Sequence, residues 1–189
     1  MSDKSDLIEL VETVKQEDLL SLLEKFFEDK EFVAAFKKAP ASTRYHGNFA
    51  GGLEEHVIGV AKLCDAAVAH YGGGINRDLL ITGALLHDIG KIHCYEKATG
   101  NGPFQGYLTT STGKMFGHIA IGVVEIHDIM KVINFPDPLA SGLEHMVLSH
   151  HGPVSNGWGS SVDPLTKEAI TLHYADLMDS RVAGAVKHG

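Results

Sequence analysis

The chain is 189 residues long, with 44% hydrophobic and 21% charged residues, figures that suit one globular domain and exclude a disordered or low-complexity protein. No apolar run approaches the roughly 18 residues of a membrane span, and Met1-Ser2-Asp3-Lys4-Ser5-Asp6 has no basic region feeding a hydrophobic stretch, so neither membrane association nor secretion by a cleaved signal is expected. The formal charge of −8 opposes broad adhesion to a phosphate backbone but allows a small anion in a local pocket. Cys64 and Cys94 form no CxxC pair and read as free thiols in a reducing compartment, with the cytoplasm as the expected location.

The first forty residues predict two or three short helices. Asp6 with Glu9 resembles a capping box, and Leu7, Leu10, Val11 and Val14 recur at helical spacing. Leu19, Leu20, Leu22, Leu23, Phe26 and Phe27 continue a wide apolar face, and Phe32, Val33 and Phe36 form a third stripe that Pro40 closes. These read as a packing layer; an exposed apolar helix there could make a homodimer. A long helix is predicted from about Leu53 to Tyr71, stopped by Gly72-Gly73-Gly74. Asn76 then caps a helix so apolar through Leu86 that it belongs in the centre of the fold.

Residues 93–114 are rich in Gly, Thr and Ser and predict a long loop, with room for a small hairpin around Phe104 to Thr110. Helical periodicity resumes at Phe116 and runs to about Phe135, and another helix is expected from about Leu139 to His150. Gly152 to Gly159 is a second loop carrying Trp158, and a last helix is expected to begin near Pro164. With no internal repeat and no convincing sheet, the fold class is all-α: one domain over residues 1–189, with 1–43 as a helical layer and 44–181 as the core.

Histidine is the outlying residue, 12 of 189 and spread along the chain, which points to metal binding or proton transfer and not to a tag. His87 and Asp88 end the most apolar helix, where a carboxylate costs several kcal/mol unless something positive pairs with it. A divalent cation would supply that charge. His56, His118, His150, His151 and Asp176 fall on four other predicted helices, the way helix bundles assemble metal sites in their cores.

The order His56, His87-Asp88, Asp176 resembles the HD superfamily of metal-dependent phosphohydrolases, and Gly83-Ala84-Leu85-Leu86-His87-Asp88-Ile89-Gly90-Lys91 looks like its signature. His46 with Gly51-Gly52-Leu53-Glu54-Glu55-His56, Gly117-His118-Ile119, Leu148-Ser149-His150-His151-Gly152 and Leu172-His173-Tyr174-Ala175-Asp176-Leu177-Met178-Asp179 are similar to the catalytic domain of YhaM-type 3′-to-5′ exoribonucleases, over roughly residues 44 to 181. The resemblance implies an HD-domain helical bundle with a metal site in its core. It places His56, His87, Asp88 and Asp176 on one ion, and Asp88, His118 and one of the paired histidines on a second, His150 favoured and His151 the alternative. In a one-metal protein His118 and His150 would instead be satisfied core histidines.

Such a pair of cations would lower the pKa of bound water toward neutrality, giving a hydroxide that could attack phosphorus in line. Mixed imidazole and carboxylate ligands suit one or two divalent transition-metal ions, Mn, Fe, Co, Ni or Zn, better than Mg or Ca. Asp88, Lys91 and His118 are the candidate catalytic residues; Lys91, Arg44, His46 and Arg181, with Lys114 as a further candidate, would bind substrate phosphate. The sequence departs from the family at Gly47, where a second histidine is common, and the residues ahead of the motif region read as helix, so the RNA-binding domain of OB type that precedes the HD domain in those exoribonucleases is not expected here. The expected function is therefore a metal-dependent phosphohydrolase or phosphodiesterase acting on a small phosphorylated substrate, a nucleotide or short oligonucleotide, in preference to extended nucleic acid. The alternatives are a di-iron HD-type oxygenase of a small molecule and a non-catalytic nucleotide-binding sensor.

Other polar residues carry plainer expectations. His70, His127 and His188 belong on the surface, and His93 and His145 beside the site or in solvent. His173 would support Asp176 by a hydrogen bond, one turn away. Asp179 would do the same or pair with Arg181. Trp158 offers a flat face for a base or simply packs its loop, and Cys94 packs.

Overall fold

The computed structural model describes residues 6–43, 47–99 and 106–188. Arg44 and His46, expected to bind substrate, lie outside the described residues, as does Phe104 at the start of the expected hairpin. The described chain forms nine α-helices and one two-stranded sheet.

Helices α1 (Asp6–Thr13), α2 (Glu17–Phe27) and α3 (Lys30–Phe36) make the N-terminal layer. Asp29 caps α3 through its carboxylate, which accepts from the Glu31 and Phe32 amides. The layer's apolar stripe is consumed within the chain: Leu7, Leu19, Leu22, Leu23 and Phe36 are all buried. Phe26, Phe27, Phe32 and Phe36 form an aromatic cluster with ring centroids 5.1–5.9 Å apart. The homodimer expectation rested on that stripe, and the stripe is not available to a second copy. Polar ties fix the layer to the core, since the Asp78 carboxylate accepts from the Lys15 and Gln16 amides at 2.7 and 2.8 Å.

The core is α4 (Gly52–Tyr71), α5 (Arg77–Leu86), α8 (Asp137–Ser149) and α9 (Lys167–His188), with α6 (Lys91–Cys94) and α7 (Ser111–Val132) closing one side. As its sequence predicts, α5 is buried from Leu80 to Leu86 and starts at the Asn76 cap, whose side chain accepts from the Leu79 amide. No helix of the described residues is long and apolar enough to cross a membrane.

Three boundaries differ from expectation. The 93–114 segment contains α6 and an antiparallel hairpin of β1 (Tyr95–Lys97) and β2 (Tyr107–Thr109), in the register Tyr95↔Thr109, Glu96↔Leu108 and Lys97↔Tyr107. Helix α7 begins at Ser111, because Thr110 is an N-cap whose hydroxyl accepts from the Gly113 amide. The periodicity picked up only the second half of α7, because Gly117, at φ 70°, breaks the helix just before His118. Helix α9 starts at Lys167, not near Pro164: Thr166 supplies the cap, accepting from the Ala169 amide, and Leu165 is left outside at 79% exposure.

Candidate metal centre

Five helix ends or turns bring the predicted residues together. His56 stands in the second turn of α4, His87 and Asp88 follow α5, His118 opens the second half of α7, His150 and His151 follow α8, and Asp176 lies midway along α9. His56, His87, Asp88, His150 and Asp176 are all buried.

Asp88 is the hub. Its Oδ2 lies 3.4 Å from Nε2 of both His56 and His87, while its Oδ1 lies 3.3 Å from His118 Nε2 and 3.6 Å from His150 Nε2. One carboxylate oxygen thus faces each of two groups. In the first, His56, His87 and Asp88 present atoms within 4.8 Å of one another, and in the second His118, His150 and His151 do so. Asp176 joins the first through its Oδ1, 3.2 Å from His56 Nε2.

The ring orientations are set from behind. His87 donates its Nδ1–H to the Ala84 carbonyl at 2.8 Å, and His150 donates to the Val147 carbonyl at 2.7 Å. Each imidazole caps the end of its own helix, taking a carbonyl that the helix leaves unpaired. His56 Nδ1 is 2.7 Å from Asp179 Oδ2, and His151 Nδ1 bonds the Trp158 carbonyl. In His87 and His150 the proton on Nδ1 leaves a lone pair on Nε2, and that lone pair points at a carboxylate oxygen. Acceptor facing acceptor is repulsive until a cation stands between them. His87 Nε2, His118 Nε2, His150 Nε2 and Asp88 Oδ1 are accordingly buried without a hydrogen-bond partner among the described residues. These residues could hold a metal ion, and the orphaned atoms fit one.

Electrostatics agree. Burial opposes charge on Asp88, but the Lys91 ammonium and the His87, His150 and His56 imidazoles around it hold its carboxyl well below the usual range. Burial likewise opposes charge on Asp176, which the His56 bond nonetheless keeps low. Burial alone would lower His56; its bonds to Asp176, Asp179 and Asp88 outweigh that and raise it well above an ordinary histidine. Burial pushes His118 well down and His151 to about 4, so both are neutral imidazoles at neutral pH. Lys91 Nζ bonds Asp88 Oδ2 at 2.5 Å.

A cleft of about 390 Å³ opens onto this cluster, lined by His56, His118, His151 and Asp176 together with Lys91, Tyr95, Trp158, His173 and Arg181. The Arg181 guanidinium stacks over the Trp158 ring, 5.9 Å from its centroid. Of the expected substrate-binding residues that are described, Lys91 and Arg181 line the cleft; Lys114 sits exposed on the first turn of α7 and does not.

Two secondary expectations are corrected. His173 does not support Asp176: its Nδ1 bonds the His150 carbonyl at 3.0 Å and so braces the α8 end. Asp179 pairs with His56 and not with Arg181. His145 accepts from the Leu165 amide at 2.9 Å, anchoring the loop before α9. His127 pairs with Glu144 and His93 with Glu125, both away from the cluster. Tyr95, which lines the cleft, escapes sequence reasoning because a tyrosine in a Gly-rich stretch carries no spacing signal. Both thiols are raised by burial, Cys64 to about 12 and Cys94 to about 11, which fits packing roles.

The HD-domain family pattern matches residues 53–181, well over half of the chain. The chain is 39% identical to the 3′-5′ exoribonuclease YhaM of Geobacillus sp. (strain WCH70) over 153 residues, 81% of this chain and 44% of that protein. It is 37% identical to YhaM of Listeria welshimeri over 162 residues, covering 86% and 47% of the two chains, and 35% identical to YhaM of Bacillus subtilis (strain 168) over 153 residues, covering 81% and 46%. The chain therefore spans less than half the length of these curated relatives. No solved structure gives a significant match. The matched stretch contains His56, the His87-Asp88 pair, His118, His150, His151 and Asp176, and the chain belongs to the HD-domain family, metal-dependent hydrolases of phosphoric esters.

Proposed function

We propose that the protein is a metal-dependent phosphodiesterase that cleaves a phosphodiester bond in a nucleotide or a short single-stranded oligonucleotide. The observation that carries the reading is the division of Asp88 between two imidazole groups, one carboxylate oxygen to each, behind a cleft that His56 and His118 line together with cationic side chains. His56, His87, Asp88 and Asp176 would hold one ion, and Asp88, His118 and His150 a second, with His151 beside it. Ions of Mn, Fe, Co, Ni or Zn suit this donor set, and when bound they activate water at neutral pH and neutralise phosphoryl oxygens.

The chain's own groups supply the remainder. Arg181 and Lys91 line the cleft and offer charge to a substrate phosphate. Trp158 presents its ring beside them and can stack a base, with Arg181 held on its face. Neutral His118 and His151 keep lone pairs available at physiological pH. The relatives named for 3′-5′ exoribonuclease activity favour RNA chemistry over a free nucleotide, and nothing in the comparisons supports a preference for small substrates.

The test is anaerobic turnover of bis-p-nitrophenyl phosphate, nucleotides and short RNA by metal-stripped protein refilled with each of the five metals, beside an Asp88→Ala variant. Product release that needs metal and is lost in the variant is expected. Binding of metal and nucleotide without turnover, or oxygen uptake in place of hydrolysis, would refute the proposal.

A further inference from the structure

Hydrolysis of a phosphodiester forms a bond from a water oxygen to phosphorus and breaks the bond to a ribose oxygen, which departs as an alkoxide unless it gains a proton. A group that supplies the proton must line the cleft, carry a transferable hydrogen and have no internal partner that holds it. Most polar groups on the cleft wall fail one of these conditions. Ser180 Oγ donates to Asp176 Oδ1 at 3.3 Å, and His173 Nδ1 donates to the His150 carbonyl at 3.0 Å. The Lys91 ammonium is bonded to Asp88 Oδ2; burial opposes its charge, yet that carboxylate makes it hold its proton more firmly than an ordinary lysine. A guanidinium such as that of Arg181 does not give up its proton at all, and burial keeps His118 and His151 neutral.

Tyr95 meets all three. It stands where α6 gives way to β1, four residues after Lys91, and lines the cleft with its side chain half-buried. Pairing with Thr109 across the hairpin, and the bond from the Thr110 amide to the Cys94 carbonyl at 2.9 Å, fix its backbone. No hydrogen bond ties its hydroxyl to another described residue. Burial raises the phenol above an ordinary tyrosine, the nearby Lys91 ammonium pulls it back and the Asp88 carboxylate adds to the rise, so the group keeps its proton at neutral pH. An alkoxide is a stronger base than a phenolate, so a proton passes from the phenol to a departing ribose oxygen downhill. We propose that Tyr95 is the catalytic acid of this cleft: its Oη–H bonds the leaving ribose oxygen and gives up the proton as the phosphorus–oxygen bond breaks, and the phenolate left behind recovers a proton from water in the open cleft. This inference rests on the phosphodiesterase reading.

The test compares two substrates that release the same uridine 5′-phosphate from the full chain loaded with the most active of the five metals. One is a uridine dinucleotide, whose ribose oxygen needs a proton; the other is uridine 5′-(p-nitrophenyl phosphate), whose nitrophenolate is a weaker base than a tyrosine phenolate and leaves without one. Tyr95→Phe removes only the hydroxyl and is expected to lower kcat about hundredfold on the dinucleotide and less than about fivefold on the aryl ester. Tyr107→Phe is expected to leave both rates as they are, since its hydroxyl bonds the Lys38 carbonyl at 3.4 Å and the residue does not line this cleft. Affinity for the dinucleotide in EDTA, read from the fluorescence of Trp158, the chain's one tryptophan, is expected to be the same in Tyr95→Phe as in the parent, because the bond strengthens only as the leaving oxygen takes charge. Equal rate losses on the two substrates, no loss on the dinucleotide, a loss of affinity as large as the loss of rate, or a parent that cleaves the aryl ester but not the dinucleotide would each overturn the assignment. A parent that turns over neither substrate with any metal sinks the phosphodiesterase reading itself, which is a different result.

Discussion

Replacing Asp88 by Asn keeps the side chain's shape and removes its charge, which isolates what that charge does. The carboxylate is 1% exposed and the Lys91 ammonium, 2.5 Å away, has a side chain only 12% exposed. Breaking a buried pair by removing one partner costs about 3–5 kcal/mol, because the other charge stays buried and alone. The Asn amide can donate to one of the facing Nε2 lone pairs, which offsets part of this, so the expected loss is about 3 kcal/mol. For a chain of this size each kcal/mol moves the midpoint by roughly 2–4 °C, giving a fall of roughly 6–12 °C. The assay is thermal unfolding of metal-free protein in EDTA, read by circular dichroism. Adding Lys91→Met removes the stranded ammonium, and the double variant is expected to recover more than half of the loss. A single variant that melts within about 2 °C of the parent, or a double variant that melts no higher than the single, would refute the reasoning. Because each Asp88 oxygen faces a different group, the single variant is also expected to lose metal from both.

Other perturbations separate orientation from ligation. Asp179→Asn keeps an oxygen within reach of His56 Nδ1 but removes the charge behind it, and is expected to weaken metal binding about 10–100-fold with little change in the metal-free melting midpoint, as measured by competition with a chelating dye. Gly90→Ala would place a Cβ 2.1 Å from the His118 carbonyl and 2.7 Å from the Gly122 amide, both backbone. The turn after Asp88 and α7 must then move apart, at a cost of about 1–3 kcal/mol in urea unfolding; an unchanged midpoint would show that the close approach is dispensable.

Much of the candidate centre was legible because four of its residues follow helix ends. His87-Asp88 after the most apolar helix and His150-His151 after another stand out since charged and titratable groups rarely follow such stripes without a reason. The rest was illegible for physical causes. Asp179 was visible as a candidate, but its partner could not be chosen, since i+2 spacing to Arg181 competes with His56, more than a hundred residues away, and only tertiary packing decides. His173 stands one turn from Asp176, the spacing at which helical side chains usually meet, yet its Nδ1 faces the carbonyl of His150 on another helix. The start of α7 was missed because Gly117 resets the helical phase, so the apolar period before it does not add to the period after it. The hairpin is short and its strands lie far apart in sequence, with no two-residue turn signal to mark the pairing.

The two helix ends explain why the cluster sits where it does. Helices α5 and α8 both terminate at it, so both point the partial negative charge of their C-termini at Asp88. A carboxylate would ordinarily avoid such a place, and burial makes the conflict worse. Lys91, from the turn beyond Asp88, relieves part of the conflict, and a metal ion held by the inward Nε2 atoms of His87 and His150 would relieve more. The same i−3 ring-to-carbonyl bond at both helix ends performs two tasks at once. It satisfies a helix carbonyl that has lost its amide partner, and it fixes the tautomer that leaves Nε2 unprotonated toward Asp88. An asparagine at either position could still donate to that carbonyl but would offer no second nitrogen across a ring toward Asp88, so the helix end would be capped without the Nε2 atom that a cation would use. Histidine can perform both tasks at these two positions because its two ring nitrogens point in different directions.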